Sequence, residues 1–450
     1  MSKEDLSGYS GLGRDLLKKA GAQIGDRINL ALTRGKGQDV VEGLLMPRFH
    51  SERDDYVVVK LKTGYNVGVR IDSSSEITLL GKGAEPHFTR PSMPARTTGL
   101  PKVSIISTGG TIASKVDYRT GAVKPALDAE DLYSVVPELA EIAEIDAKIL
   151  FGVFSENIGP QIWSKIAESV VEQVGKGADG VVIAHGTDTL GYTAAALSLA
   201  LKDLPIPVVL VGSQRSSDRP SSDAATNLLA STSIAGQAPF AEVVVAMHDW
   251  VSDEKIAIHR GTKVRKCHTS RRDAFRSVNT PPIGCYDLVH RSLQLNTDNY
   301  CTRQEQPGWS PRFQFDPNVA LIKFHPGISV GIIDWATSSG YKGIVLEGTG
   351  LGHVGETLAP ALERAVKEGI VVAMCSQCIW GTVHMDVYSA GRDLQRIGVI
   401  PLGDMLPETA LVKMMWAFGQ EANPDKVKEI MLTNVASEFS ERRVLEALED

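Results

Sequence analysis

The chain has 450 residues, 43% of them hydrophobic and 22% charged, a globular composition that excludes wholesale disorder and is long enough for roughly two to four domains. Its 47 Lys and Arg against 54 Asp and Glu give a net charge of −7, which argues against nucleic-acid binding through an overall field and leaves only a local basic patch for RNA. Five cysteines, an odd number, speak against a disulfide framework. The opening MSKEDLSGYS carries no signal-peptide run, and no apolar stretch nears the roughly 20 residues of a membrane span, so a reducing, cytoplasmic setting without membrane contact is expected.

Residues 1–81 differ from the rest. A short helix is expected at 12–20, then strands at 27–32, 40–46, 56–62, 65–71 and 76–80, with Lys62-Thr63-Gly64-Tyr65 as a hairpin turn. Five short strands predict a small β-barrel of SH3-like or Sm-like type. Residues 82–100, rich in Pro, Gly, Thr and Arg without apolar periodicity, read as a linker. From Lys102 strand, loop and helix alternate: strands at 103–108, 180–184, 207–211 and 241–247, and helices at 162–174 and 190–201. That alternation predicts βαβ units and a parallel sheet. A loop-rich stretch at about 285–318 follows. Strands at 320–323, 343–346 and 369–374, with helices at 358–367 and 409–418, then predict a smaller α/β domain.

Two loops follow buried strands directly: Ser107-Thr108-Gly109-Gly110-Thr111-Ile112-Ala113-Ser114 and Ala184-His185-Gly186-Thr187-Asp188-Thr189. In a parallel sheet, ligands bind beyond the carboxyl ends of the strands. Glycines there let backbone approach a substrate and present N–H groups, while hydroxyls supply nucleophiles or donors. Alone, the TGGT step reads as no more than a tight turn, and no GxxxxGK[ST] phosphate loop is present.

Together these loops resemble the two signature loops of the L-asparaginase family. Residues 264–269 (VRKCHT) resemble the family segment that holds a catalytic lysine. Gly212-Ser213-Gln214-Arg215, with Ser222-Asp223-Ala224 and Asn227, matches a further stretch. The likeness covers about residues 101–450. The added N-terminal β module, Phe154-Ser155-Glu156-Asn157 and residues 266–275 (KCHTSRRDAF) narrow it to the D subunits of archaeal-type glutamyl-tRNA(Gln) amidotransferases.

The resemblance implies an asparaginase-like two-domain α/β core. Residues 101–300 would be a large domain carrying the site, 301–319 a second linker, and 320–450 the smaller domain. It implies hydrolysis of glutamine (or asparagine) through an acyl-threonine intermediate. Ammonia would pass to a kinase/transamidase partner that uses ATP and Mg2+ to convert Glu-tRNA(Gln). The chain itself would bind no cofactor and would form a homodimer joined by two copies of that partner. By the same resemblance Thr108 is the nucleophile, and Thr187, Asp188 and Lys266 form a hydroxyl–carboxylate–amine relay. Ser155, Glu156 and Asp188 bind the substrate's α-groups, and Tyr118 supports the nucleophile. The loop at 114–121 departs in length from the commonest asparaginases. Asp386 is a candidate for an acidic residue lent by a neighbouring subunit. A free-standing L-asparaginase is the second reading, and a non-catalytic RNA-binding scaffold the third.

The chemistry fits these residues. An amide carbonyl must be attacked, a hydroxyl activated and an oxyanion met by fixed donors. Lys266 accepts a proton only as a neutral amine. Burial and the neighbouring Lys263, Arg265, Arg271 and Arg272 favour that form, Asp188 favours the ammonium, and the sequence leaves the balance open. Plainer readings are available for several residues. Asp188 suits the N-cap of the following helix. His185 and His268 read as structural hydrogen-bonders. The basic run 255–276 reads as a solvated face, or one bordering the site or touching tRNA. Cys375-Ser376-Gln377-Cys378 reads as a packed thiol pair. Gly348-Thr349-Gly350-Leu351-Gly352 reads as a strand-to-helix turn. No metal spacing is found, and no metal is expected.

Overall fold

The computed structural model describes residues 6, 8–34, 37–48, 54–61, 66–82, 99–109, 114–117, 122–125, 132–133, 136–215, 222–304 and 308–440. The expected positions Lys62-Thr63-Gly64-Tyr65, most of the 82–100 linker and Tyr118 lie outside the described residues.

The N-terminal part begins with helix α1 (Gly11–Ala20), which ends on Gly21 at φ 67°, the left-handed geometry a glycine supplies without strain. Strands β1 (Arg27–Arg34), β2 (Gly37–Leu45), β3 (Tyr56–Lys60), β4 (Asn66–Arg70) and β5 (Glu76–Gly81) form one antiparallel sheet in the order β4-β3-β2-β1-β5. Period-two alternation sends Ile28, Leu30 and Leu32 to one face, where Leu17 of α1, Leu45, Val57, Val59 and Val69 complete a separate core. The small β module predicted from sequence is present as this five-stranded domain.

The second sheet is built from β6 (Lys102–Ser107), β9 (Glu144–Ile149), β10 (Gly180–Ala184), β11 (Val208–Val211), β12 (Val243–His248), β13 (Lys255–Arg260), β16 (Gly284–Asp287) and β17 (Ser292–Leu295). Two hairpins lie outside it, β7 (Ser114–Asp117) with β8 (Ala122–Pro125) and β14 (Val264–Lys266) with β15 (Phe275–Ser277). The order is β17-β16-β13-β12-β11-β10-β6-β9, parallel from β12 to β9 and antiparallel from β12 to β17. Helices α2 (Pro160–Gly175) and α3 (Leu190–Ala200) pack on one face, and α4 (Ala224–Gln237) on the other.

Two sequence expectations are corrected here. The stretch at 285–318 is not all loop, because β16 and β17 close the antiparallel edge. Their four-residue runs, GCYD and SLQL, are short and polar-interrupted, with β17 half-exposed at the sheet edge, so neither shows strong apolar alternation. The basic run 255–276 is a solvated face only in part: Lys255 and residues 267–271 are exposed, and Lys266 borders the site. Residues 256–259 are buried inside the sheet, and Lys263 is 1% exposed. The charges that follow are paired, Arg260 with Glu242, Lys263 with Asp404, Arg265 with Glu408, and Arg271 and Arg276 with Asp273.

The smaller domain places β18 (Val319–Lys323), β19 (Gly343–Gly348), β20 (Val371–Ser376) and β21 (Ile400–Pro401) in one parallel sheet in chain order. Around it lie α5 (Gly331–Ser338), α6 (Ala359–Lys367), α7 (Ser389–Arg396), α8 (Pro407–Gln420) and α9 (Pro424–Leu432). Helix α8 belongs to two cores at once. Ala410, Met414 and Ala417 pack on the small sheet, while Val412 and Trp416 join the cluster around α2 and α3. That explains why α3 is buried almost all round. The small domain covers its outer side, so the two domains share apolar contact rather than meeting at a wet seam.

Candidate active site

Strand order places the starts of the two signature loops side by side, residues 110–113 of the first lying outside the described residues. β6, first in the chain, lies between β9 and β10, so the chain reverses its direction of travel across the sheet at β6 and opens a crevice at the strand ends. Ser107 is in register with Ala184, hence Thr108 and His185 leave neighbouring strands together. Thr108 is fully buried, and its N–H and Oγ1–H both donate to the Ala184 carbonyl at 3.0 Å. Gly109 has φ 121°, and a Cβ there would collide with the Val153 carbonyl oxygen, which is why no larger residue fits the step after Thr108.

The second loop is shaped by hydrogen bonds behind it. Trp163 Nε1–H donates to Thr193 Oγ1 at 3.1 Å, and Thr193 Oγ1 lies 2.8 Å from His185 Nε2. His185 Nδ1 lies 2.7 Å from the Gly186 carbonyl, so the proton is on Nδ1 and Thr193 donates to Nε2. Burial pushes the His185 imidazole down to about 4, and it stands as a neutral brace for Gly186 and Thr187. The Thr189 hydroxyl donates to the Ser155 carbonyl at 2.5 Å. Gly212, after β11, abuts Thr187 so closely that a Cβ would lie 2.7 Å from Thr187 Cγ2.

A third element brings the amine. Hairpin β14–β15 ends β14 at Lys266, paired with Phe275. Lys266 Nζ donates to Thr187 Oγ1 and to Asp188 Oδ1, both at 2.8 Å, across 79 and 78 residues of sequence. The Lys266 side chain is 15% exposed while that of Asp188 is 72% exposed, so the carboxylate keeps acceptor capacity facing solvent. Asp188 does not cap α3. The residue before that helix is Thr189, and the Asp188 carboxylate is turned to Lys266 instead.

Of the residues singled out from sequence, Thr187, Asp188 and Lys266 form one hydrogen-bonded set. Thr108 stands on the adjacent strand end with its hydroxyl committed to Ala184. Ser155 is buried against Gly186, and Glu156 beside it is exposed. Asp386 is exposed in the small domain and accepts from Gln395 Nε2 at 2.9 Å. His268 Nδ1 accepts from the Ser270 and Arg271 N–H groups at 3.0 Å, a turn brace as expected. The cysteine motif is corrected: Cys375 is buried, Cys378 is exposed, and both are free thiols rather than a packed pair. Among the described residues no group of three or more His, Cys, Asp or Glu side chains is arranged to hold a metal. No helix among them is long and apolar enough to cross a membrane.

Sequence reasoning singled out Ser213, Gln214, Arg215, Asp223 and Asn227 but gave them no role. Asp223, fully buried, accepts from Ser213 Oγ, the Gln214 and Arg215 N–H groups and Asn227 Nδ2, fixing the loop after β11. Asn227 Oδ1 in turn lies 2.7 Å from His248 Nδ1. Lys263 and Arg265, read only as neighbouring charge, pair with Asp404 and Glu408 more than 140 residues away. No local spacing signals pairs so distant.

Comparison with known proteins agrees with this layout. The model for "Asparaginase, N-terminal" matches residues 102–299, that for "Glutaminase/Asparaginase C-terminal domain" residues 318–431, and that for "GatD N-terminal domain" residues 22–80. The chain is 49% identical over 444 residues to the D subunit of the glutamyl-tRNA(Gln) amidotransferase of Metallosphaera sedula, covering 98% of both chains. It is 48% identical to that of Methanopyrus kandleri, covering 99% of this chain and 97% of that one. Among solved structures, the thermostable L-asparaginase from Thermococcus kodakarensis matches with a TM-score of 0.67 at 33% identity, covering 76% of this chain and all of that one. The chain belongs to the family of glutamyl-tRNA(Gln) amidotransferase D subunits, amidohydrolase components built on an asparaginase-type core.

Proposed function

We propose that the chain releases ammonia from glutamine, or less specifically from asparagine, for delivery to a kinase/transamidase partner. The partner uses ATP and Mg2+ to convert Glu-tRNA(Gln) to Gln-tRNA(Gln), in a cytoplasmic assembly of two copies of each subunit. One observation carries the reading: a single amine, Lys266 Nζ, bridges Thr187 Oγ1 and Asp188 Oδ1 at the mouth of the crevice where Thr108 emerges.

The chemistry follows from that geometry. Ser155, Glu156 and the exposed side of Asp188 receive the substrate's α-carboxylate and α-ammonium. The arriving cation shares Asp188 and draws its charge away from Lys266, which favours a neutral amine there. Thr108 Oγ leaves the Ala184 carbonyl and attacks the side-chain amide carbon. The proton of the attacking hydroxyl passes through Thr187 to Lys266 and on to the departing nitrogen, so that ammonia and an acyl ester on Thr108 are formed. Backbone N–H groups of the glycine-containing turn serve the developing oxyanion. Water then repeats the sequence, releasing glutamate and restoring the Thr108 hydroxyl.

The test is ammonia release from glutamine and from asparagine, by the full chain alone and with the partner and Glu-tRNA(Gln). Glutamine hydrolysis rising on addition of partner and charged tRNA is the expected result. Full-rate hydrolysis of asparagine by the chain alone, unaffected by the partner, would establish the free-standing asparaginase instead. Lys266→Ala is expected to lower kcat by about 10²–10⁴-fold, the span of a positioned acid–base group.

A further inference from the structure

The hairpin that carries Lys266 is short. β14 has three residues and pairs only with β15. Three residues alone do not fix a long side chain to the tolerance the site needs, since a misplacement of about 1 Å lowers turnover by about 10². Further anchors therefore matter, and they come from the small domain.

Lys263, three residues before Lys266, is 1% exposed and pairs with Asp404 Oδ2 at 2.7 Å, in the turn ahead of α8. Asp404 is itself held by the Ser440 N–H on Oδ1, and its carbonyl accepts from Asn279 Nδ2. Arg265, adjacent to Lys266, pairs with Glu408 in the first turn of α8 at 3.2 Å. Thr409 Oγ1 donates to the Thr262 carbonyl, and Thr262 Oγ1 to the Ala436 carbonyl. Just past the hairpin, at the same open end as Lys263, Asn279 exchanges two hydrogen bonds with the backbone of Gly381. The Lys263 carbonyl accepts from Val278 N–H, so both chain ends of the hairpin are tied to one another and to the small domain.

An ammonium buried at Lys263 is not the simplest glue. Burying an ion carries a desolvation cost, and apolar side chains of similar volume often pack with equal or greater stability. What a charged pair adds is a fixed distance and direction. Nothing places Lys263 or Asp404 in contact with the reacting atoms, so neither is a catalytic residue. We propose that the Lys263–Asp404 pair, seconded by Arg265–Glu408, is a positioning device through which the small domain sets where Lys266 stands relative to Thr187 and Asp188. Turnover is then tied to the seating of the small domain, while substrate capture at Ser155, Glu156 and Asp188 is left largely alone. The inference rests on the assignment of Lys266 to the reaction.

The test uses the full chain with its partner and Glu-tRNA(Gln), following glutamine hydrolysis. Lys263→Met and Asp404→Asn are expected to lower kcat by about 10²-fold with KM within about threefold of wild type. Lys263→Arg, which keeps the charge, is expected to recover at least tenfold of that loss. The kcat–pH profile of Lys263→Met is expected to move, because a loosened Lys266 no longer meets Thr187 and Asp188 in the same geometry. Urea unfolding monitors the fold. Should Lys263→Met not fold, Arg265→Gln and Glu408→Gln decide, each at a partly exposed pair and each expected to lower kcat several-fold. A folded Lys263→Met with kcat within twofold of wild type overturns the proposal, as do Arg265→Gln and Glu408→Gln at wild-type rate. Lys266→Ala separates the two levels. If it is inactive while the Lys263 and Arg265 variants are normal, only the positioning device fails; if it is active, the reading of the site itself fails.

Discussion

The two large sheets of the core, one mixed and one parallel, use the ends of their strands differently. At the ends of β6, β10 and β11 in the large domain, side chains reach across the chain: Lys266 meets Thr187 and Asp188, and Asp188 keeps 72% of its side chain exposed. At the ends of β19 and β20 in the small domain, equally polar turns spend their donors on backbone carbonyls of the same domain. Thr349 Oγ1 donates to the His353 carbonyl, Ser376 Oγ to the Gly350 carbonyl, and Gln377 Nε2 to the carbonyls of Phe324 and Glu347. Motif-like composition in a single turn therefore does not by itself make a site. A Gly-Thr-Gly turn and a Cys-x-x-Cys in one sheet direct their hydroxyl and amide donors to backbone carbonyls of the small domain, while a Gly-Thr-Asp turn in the other leaves groups for a substrate. The small domain contributes instead by holding in place what the large domain presents.

The sharpest way to break this contrast is to remove the same hydroxyl from each sheet. Thr187→Val is expected to lower kcat for glutamine by about 10³-fold, since Lys266 loses the group it bonds. Thr349→Val is expected to leave kcat within twofold. A comparable fall in both variants, measured by ammonia release on folded protein, would erase the distinction between the two strand-end layers.

A second measurement addresses how the small domain itself is held together. Lys413 on α8 and Glu438 beyond α9 are both fully buried and pair at 2.5 Å. Lys413 also donates to the carbonyls of Met431 and Thr433, and Glu438 accepts from the Val435 and Ala436 N–H groups. Lys413→Met leaves a buried carboxylate without its cation and is expected to cost about 3–5 kcal/mol in urea unfolding. The double change Lys413→Met with Glu438→Gln is expected to recover part of that loss, because the stranded charge is gone.

The degree to which the molecule was legible in its sequence follows the same division. Buried parallel strands such as 180–184 are continuous apolar runs, and helix 160–175 has strong amphipathic spacing, so both are readable within a residue or two. Strands β16 and β17 are only four residues each, with polar residues among the apolar ones and β17 half-exposed at the sheet edge, which leaves a weak pattern. The convergence of Thr187, Asp188 and Lys266 was readable because each belongs to a motif at a strand end. The Lys263–Asp404 and Arg265–Glu408 pairs were not, since a charge looks alike in sequence whether solvated or buried against a partner 141 or 143 residues on. Asp188 as a helix cap was a sound local expectation, overridden by an amine arriving from a distant hairpin.

Acid separates two kinds of buried histidine support in the large domain. His185 and His259 are both buried, and burial holds their imidazoles down to about 4 and about 3, against 6.5 for an ordinary histidine. With the folded value below the unfolded one, the unfolded chain binds the extra proton. Stability is then full above about pH 6.5 and falls as pH drops toward 4 and 3. Each histidine contributes a slope of about 1.4 kcal/mol per pH unit in that window, or about 2 kcal/mol at pH 5. Urea unfolding from pH 7.5 to 4.5 is expected to show a steeper loss in wild type than in His259→Gln, by about one histidine's share. Parallel curves would mean that His259 is not held neutral by the fold.

The smallest expected effect concerns Cys378, which follows β20, set against Cys375 inside the strand. Cys375 is fully buried, and desolvation pushes its thiol far above the usual range, which removes it as a nucleophile. Cys378 is exposed at the far side of the turn, its N–H donating to Ser376 Oγ. Cys378→Ala touches no packed contact and is expected to change stability by less than about 0.5 kcal/mol and ammonia release not at all. Cys375→Ser places a hydroxyl in an apolar core and is expected to cost about 1–3 kcal/mol while sparing kcat. A fall in kcat with Cys378→Ala, or on mild oxidation of wild type with dithiol reversal, would give the second sheet a chemistry of its own and collapse the contrast from the other side.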